Sequence, residues 1–311
     1  MLKNKKYFTK KSFWIWISLV SLALASPNVM IIRMFVAGDV DPFFWVLMRS
    51  LTVAIVCLPL LIIWRKKLST PEILRDVIFS GAMMAIAIIA HTKAIELSSA
   101  SYVAVIALAY PIFLVTISAW MFRERITRRA LAGIGLGALG GVMLVLLPLA
   151  VSTGSIGFNL PATILGLINL VGFTLSTANM RRLNEQNVPL ALQIGVSSII
   201  MVLAAGLLMM VGGVQPPVKM GLDLWLAAIY SGVGVMLLIR WASTAAYSHI
   251  GGVMMGAFNY VEVFLAILLP VFILGEKLSL SMVIGGVLIV AGVYLLGNHK
   301  NSERLNNRHQ G

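Results

Sequence analysis

The stretch FNYVEVFLAILLPVFILGEKLS, Phe258 to Ser279, is apolar and of helix length, yet it begins with Asn259 and Glu262. A charge in hydrocarbon costs roughly 2.5 to 3.5 kcal/mol on insertion scales, so such a residue faces a cavity or a partner. Two readings of Glu262 follow. It binds a substrate amine or couples to protons, or it holds helices together or lies near the aqueous end of its span. Asn259, three residues earlier, shares its helical face. Arg240, Ser243, Thr244 and Tyr247 recur at i, i+3, i+4 and i+7, which draws one polar stripe down an apolar helix. Internal alignment places Ile89, Thr92, Lys93 and Glu96 opposite them, and two matching stripes suit the walls of one cavity. Lys93 can equally pair with Glu96 or extend its amine to the interface. Arg49 offers a planar guanidinium that either holds a carboxylate through two parallel hydrogen bonds, or caps a helix end or reaches the interface. His91 lies about 200° around the helix from Lys93, away from the centre of the stripe, where packing is as natural a role as substrate or proton contact. Tyr110 occupies the place matching Glu262, beside Pro111, which lacks an amide hydrogen and can loosen its helix.

Other chemistries find no support. The single Cys57 forms no intrachain disulfide, and His91, His249, His299 and His309 show no metal-ligand spacing. No Ser/His/Asp set or paired carboxylates at useful spacing appear, so an enzyme, a metal site and a cofactor are not expected. The net charge of +13 sits in short connectors beside hydrophobic spans, a topology signal rather than a nucleic-acid surface.

The elements that must carry these residues are membrane spans. Of the 311 residues 59% are hydrophobic and 11% charged, against about 25% charged in a soluble domain. A ruler of about 20 apolar residues gives ten segments: Phe13–Val36, Phe43–Trp64, Ile73–Leu97, Tyr102–Phe122, Ala130–Leu149, Pro161–Met180, Pro189–Gly212, Leu224–Tyr247, Val253–Leu274 and Ser281–Gly297. With the amino terminus inside, the cytoplasmic connectors and tails hold 18 of the 24 Lys and Arg, and the opposite connectors hold only Lys219 and Lys277. That bias predicts a multi-pass protein of the cytoplasmic (inner) membrane with both termini in the cytoplasm. The Lys-rich start, the apolar FWIWISLVSLALA and the small residues Ala23 and Ala25 also imitate a secretory signal, whose cleavage would leave nine spans and orphan one partner of a repeat.

An offset of 152 places Glu124 on Glu276, Gly133 on Gly285 and Gly140 on Gly292. An offset of 151 places Phe79–Gly81 on Tyr230–Gly232, and Thr92–Ala94 on Ser243–Ala245. Five spans per copy is odd, so the second copy enters the membrane from the other side. The expected fold is all-α, ten transmembrane helices as two inverted five-helix repeats, an architecture that lets a midplane site face either side in turn. The copies cover 13–149 and 161–297, joined by 150–160 and flanked by tails 1–12 and 298–311. Gly133, Gly137 and Gly141 form a GxxxGxxxG face for close helix approach, within a monomer in preference to a homodimer. Ser18 with Asn169, Ser26 with Thr177, and Asn28 with Asn179 align across the copies and either line a cavity or join helices. Arg33 reads as an interfacial anchor, and Glu124 and Glu276 as helix-end partners of their basic neighbours.

These motifs resemble the EamA-like branch of the drug/metabolite transporter superfamily. The residues that carry the likeness are LMRSLTVAIVCLPLLIIWRKK (47–67) with its early Arg, AIELSSASYVAVIALAYPIFLVTISAWMFRERIT (94–127), and RWASTAAYSHIGGVMMGAFNYVEVFLAILLPVFILGEKLS (240–279). The resemblance spans about residues 13–297 and implies a secondary carrier that moves small organic metabolites, often outward. The family commonly has Glu-Pro where this chain has Glu262 and Val263, so the helix break expected there is in doubt. Arg240, Arg49, Glu262 and Asn259 together suit a zwitterion such as an amino acid; a channel and a membrane-embedded or lipid-processing enzyme are the alternatives.

Overall fold

The computed structural model describes residues 3–36, 40–98, 103, 106–107, 109–123, 126–153, 159–217, 221–256, 258–262, 265 and 280–297. Among them all regular structure is helical. Six helical stretches are long and apolar enough to cross a bilayer by length and composition: Ser12–Val36, Pro42–Ser69, Pro71–Leu97, Leu160–Glu185, Leu190–Gly212 and Leu222–Ile250. The expected spans Tyr102–Phe122 and Val253–Leu274 fall partly outside the described residues. So do Glu124, Arg125, Lys219, Glu276, Lys277 and the tail from Asn298, with its His299 and His309. Trp16, Trp120, Met210 and Val211 are among the most exposed large side chains, as lipid-facing positions should be.

In chain order the helices are α1 (Lys3–Ala25), α2 (Asn28–Val36), α3 (Pro42–Trp64), α4 (Pro71–Leu97), α5 (Tyr110–Phe122), α6 (Arg128–Thr153), α7 (Leu160–Glu185), α8 (Leu190–Gly212), α9 (Leu222–Ile229), α10 (Arg240–Ile250) and α11 (Leu280–Gly297). A 3₁₀ turn, Arg65–Ser69, follows α3, and a π-helical segment, Tyr230–Ile239, joins α9 to α10.

Three expectations need correction. The first span is not one helix, and the stretch expected as a tail is helical from Lys3. Pro27 has no amide hydrogen for the Ala23 carbonyl four residues back; the Ser26 hydroxyl donates to it instead, at 2.8 Å, and the chain turns before α2. The fourth span restarts at Tyr110 after a turn at Ala109. Pro111 therefore opens a helix, where its missing donor goes unneeded, and does not loosen a helix interior. The eighth span is α–π–α, with the π segment immediately before Arg240.

The chain divides into two compact units: Met1–Ser26, Ala107–Phe158 and Ile250–Gly311 form the first, Pro27–Ile106 and Asn159–His249 the second. In the first, a Cβ on Gly292 would lie 2.5 Å from the Gly133 carbonyl oxygen, and one on Gly140 would lie 2.6 Å from that of Gly285. Advancing along α6 thus retreats along α11: the two helices are antiparallel, backbone on backbone. Each contact is also the image of the other under the 152-residue offset. Such reciprocity is what a two-fold axis imposes. Gly137 underlies the Tyr260 ring, so Gly133, Gly137 and Gly140 all take part in close contacts.

The second unit repeats this logic. Along α4 and α7, Asp76 meets Asn179, Ser80 meets Ser176, His91 meets Asn169 and Leu97 meets Asn159, an antiparallel ladder. Asn159 serves two helices, accepting from the Ala162 amide at the start of α7 and donating to the Leu97 carbonyl at the end of α4. α3 and α8 are antiparallel as well, since Gly195 abuts Cys57 and Leu61 while Gly206 abuts Leu47. Gly81 presses on Ser197 and Ile200 of α8; its image Gly232 presses on Arg49 and Thr52 of α3, which sit 148 residues before Ser197 and Ile200. Two apolar clusters close the ends of α4, one around Val77, Leu183, Val188 and Leu192, the other around Ile32, Trp45, Met48 and Ile95.

Candidate functional site

In the second unit, the close approach of Gly232 brings the π segment onto α3 at Arg49. Arg49 is 2% exposed, which excludes the interface reading, and its Nε donates to the Met236 thioether sulfur at 3.0 Å and not to a helix-end carbonyl. Sulfur is a weak acceptor, and the terminal guanidinium nitrogens have no acceptor among the described residues. His91 lies within reach of this charge, with Nδ1 3.4 Å from Asn169 Nδ2. It does face away from Lys93, as its angle on the helix requires, and toward Asn169 of α7.

Arg240 opens α10 directly after the π segment and lies across α7. Its guanidinium sits 4.8 Å from the Phe173 ring centroid and donates to Thr177 Oγ1 at 3.4 Å and to Met180 Sδ at 3.3 Å. Ser243 is half-buried on the next turn. Thr244 and Tyr247 are buried, and Arg181 stacks 4.6 Å from the Tyr247 ring centroid while bonding Glu185 at 2.9 Å. The stripe thus packs against α7 over much of its length.

Its image behaves differently. The Thr92 hydroxyl, fully buried, donates to the Ile88 carbonyl of its own helix. Lys93 pairs with Glu96 at 2.5 Å and overlies Phe43 at 5.5 Å, so the pairing left open by the sequence is the arrangement observed. A half-exposed pair of this kind contributes about 1 kcal/mol or less. The double variant Lys93→Met, Glu96→Met is expected to keep transport within about twofold of wild type and shift stability by no more than that amount; initial rates and thermal unfolding of the purified protein check this.

In the first unit, Asn259 and Glu262 lie on one face of a helical stretch within 252–262. Asn259 Nδ2 donates to the Met255 carbonyl of its own helix at 2.8 Å. Glu262 is half-buried and has no hydrogen-bond or ion-pair partner among the described residues. Tyr110 is half-buried at the start of α5, a helix that passes over Gly256 through Pro111 and Val115.

Several polar residues turn out to join helices. Arg33 is no simple interfacial anchor: its Nη1 donates to the Ile95 carbonyl at 2.8 Å. Asn184, 151 residues later, donates to Ser248 Oγ at 3.1 Å, a matching tie between the corresponding helix ends. Asn179 donates to the Asp76 carbonyl, and Arg182 pairs with the Asp76 carboxylate. Sequence reasoning assigned Arg181 and Arg182 only to cytoplasmic charge. The available signal was Asp76, the acidic residue beside Arg75 at the start of the third span. Among the described residues no group of His, Cys, Asp and Glu could hold a metal ion.

The sequence profile of one transporter family matches the chain twice, over residues 12–147 and 160–298. The chain belongs to the EamA-like transporter family. Its members are transporters, so this EamA-like protein is a multi-pass membrane transporter of small molecules, built on two repeats. A crystal structure whose name states no activity is 20% identical, covers 94% of this EamA-like chain and 99% of its own, and superimposes with a TM-score of 0.74, a likeness of fold. No curated protein matches.

Proposed function

We propose that the protein is a secondary carrier whose two inverted five-helix repeats, 13–149 and 161–297, rock around a polar interior and move small zwitterions such as amino acids outward. The observation that carries this reading is that each unit keeps a charge inside an apolar span. Arg49 in one unit and Glu262 in the other each lack a counter-ion among the described residues. Charges kept in hydrocarbon without a protein partner await one from solution. The reciprocal glycine contacts support the inverted arrangement, since exchange of the repeats maps Gly133·Gly292 onto Gly285·Gly140. The lysine and arginine bias supports ten spans with both termini cytoplasmic in the inner membrane. Occupation of the α6 glycine face by α11 of the same chain supports a monomer.

In this reading Arg49 and Arg240 of the second unit serve carboxylates, and Glu262 with Asn259 of the first serve amines. Ser243, Thr244, Tyr247, Thr92, His91 and Tyr110 shape the route, and Lys93 keeps to its pair with Glu96. Counterflow of labelled amino acids in proteoliposomes is the test. Saturable counterflow is expected in the wild type, with a loss of about tenfold or more in Glu262→Gln and Arg240→Ala, each losing a charged contact worth at least about 1.4 kcal/mol. Unchanged counterflow in both variants removes these residues from the mechanism. Flux that is linear in concentration and shows no counterflow replaces the carrier by a channel.

A further inference from the structure

We propose that Arg49, together with His91 of α4 and its partner Asn169 of α7, forms a site for a single carboxylate within the second unit, and that the Met236 thioether holds the place of that carboxylate when the site is empty. This inference rests on the carrier reading and narrows it to one functional group.

The argument begins with the guanidinium. It carries five N–H donors, is 98% enclosed, and spends one donor on a sulfur atom. A buried cation with several unmet donors is held in place only if a better acceptor arrives during the working cycle. His91 adds direction. The Asn169 amide nitrogen can only donate, so Nδ1 of His91 accepts and the ring hydrogen sits on Nε2, a further donor within the reach of the same charge. Arginine and the imidazole N–H together match the two oxygens of a carboxylate. One formal positive charge balances a singly charged carboxylate better than a doubly charged phosphate ester.

The surroundings of Met236 fit a placeholder. It lies in the π-helical segment, a backbone form that recurs at functional sites. The hydroxyls of Ser50, next to Arg49, and Ser231, next to Gly232, are buried without partners among the described residues, on the two elements that meet there. Withdrawal of Arg49 from sulfur toward an arriving carboxylate frees Met236, whose unbranched side chain repacks readily.

Thermal unfolding of the full-length protein in detergent, at constant ionic strength, tests the site. The probes are short carboxylates from acetate to 3-phenylpropionate, each beside its neutral amide, together with phenyl phosphate. At least one carboxylate should raise the midpoint by about 3 °C at ten times its dissociation constant, with no shift from its amide. Arg49→Ala should abolish the shift and His91→Ala reduce it, whereas Met236→Leu, which removes the competing acceptor, should strengthen binding severalfold. The response should survive Asp76→Asn. If Arg49→Ala does not fold, the His91 and Met236 variants carry the test. The inference is overturned if no carboxylate outperforms its amide, if the shift persists without Arg49, if Met236→Leu weakens binding, or if phenyl phosphate binds more tightly than every carboxylate. Carboxylate binding without amino-acid counterflow overturns the carrier reading and leaves the site. Counterflow that survives loss of Arg49 does the reverse.

Discussion

Gly292→Ala is expected to lower the stability of the purified protein by about 3 kcal/mol, near the top of the usual range for overpacking. The added methyl would stand 2.5 Å from the Gly133 carbonyl oxygen and 3.0 Å from the Gly137 nitrogen, and neither backbone atom can swing aside. Gly140→Ala should cost a similar amount, because its methyl meets the Gly285 carbonyl at 2.6 Å and the Ile289 nitrogen at 3.0 Å. The double variant should cost distinctly less than the sum. One outward shift of α11 from α6 relieves both collisions, and neighbouring sites that share a displacement are not additive. Gly135→Ala, on the same helix with nothing within 4 Å of the new carbon, should be neutral or stabilising by up to about 1 kcal/mol. Thermal unfolding and the folded fraction on size exclusion in detergent provide the readout. Equal behaviour of Gly135→Ala and Gly292→Ala would show that α6 and α11 are not in backbone contact.

Arg49→Gln is expected to move activity and stability in opposite directions. Two charge-assisted hydrogen bonds to a substrate, together about 3 kcal/mol, correspond to a loss of roughly 100-fold in transport at low substrate concentration. Folding should hold or improve, because a buried guanidinium whose acceptor is a thioether is a burden on the resting structure, and a neutral amide of similar reach removes it. A purely structural Arg49 predicts the opposite pair of results, lower stability with transport intact among the molecules that fold. Counterflow normalised to folded protein, beside the unfolding midpoint of the same preparation, separates the two.

How much of this was legible in the sequence depends on what each feature needs. Apolar runs of bilayer length and glycines at constant offset are properties of one chain read against itself, and they gave the membrane class and the two-repeat organisation. A π-helix leaves no such trace where nearly every position is apolar, so Tyr230–Ile239 reads as ordinary helix. Arg49 was recognised as a charge in a span, yet its sulfur acceptor lies 187 residues away. The same holds for Arg33, Arg181 and Arg182: residue type suggested a surface role, and partners distant in the chain, apart from Glu185, fixed a different one.

The antiparallel pairing of α3 with α8 and of α4 with α7 has an electrostatic consequence. Each helix carries a macrodipole, and neighbours running in opposite directions cancel most of it pairwise. The field around Arg49 therefore comes mainly from side chains and not from the scaffold. Selectivity in this unit can then be retuned by exchanging one or two residues, with the helices themselves left as a nearly neutral frame.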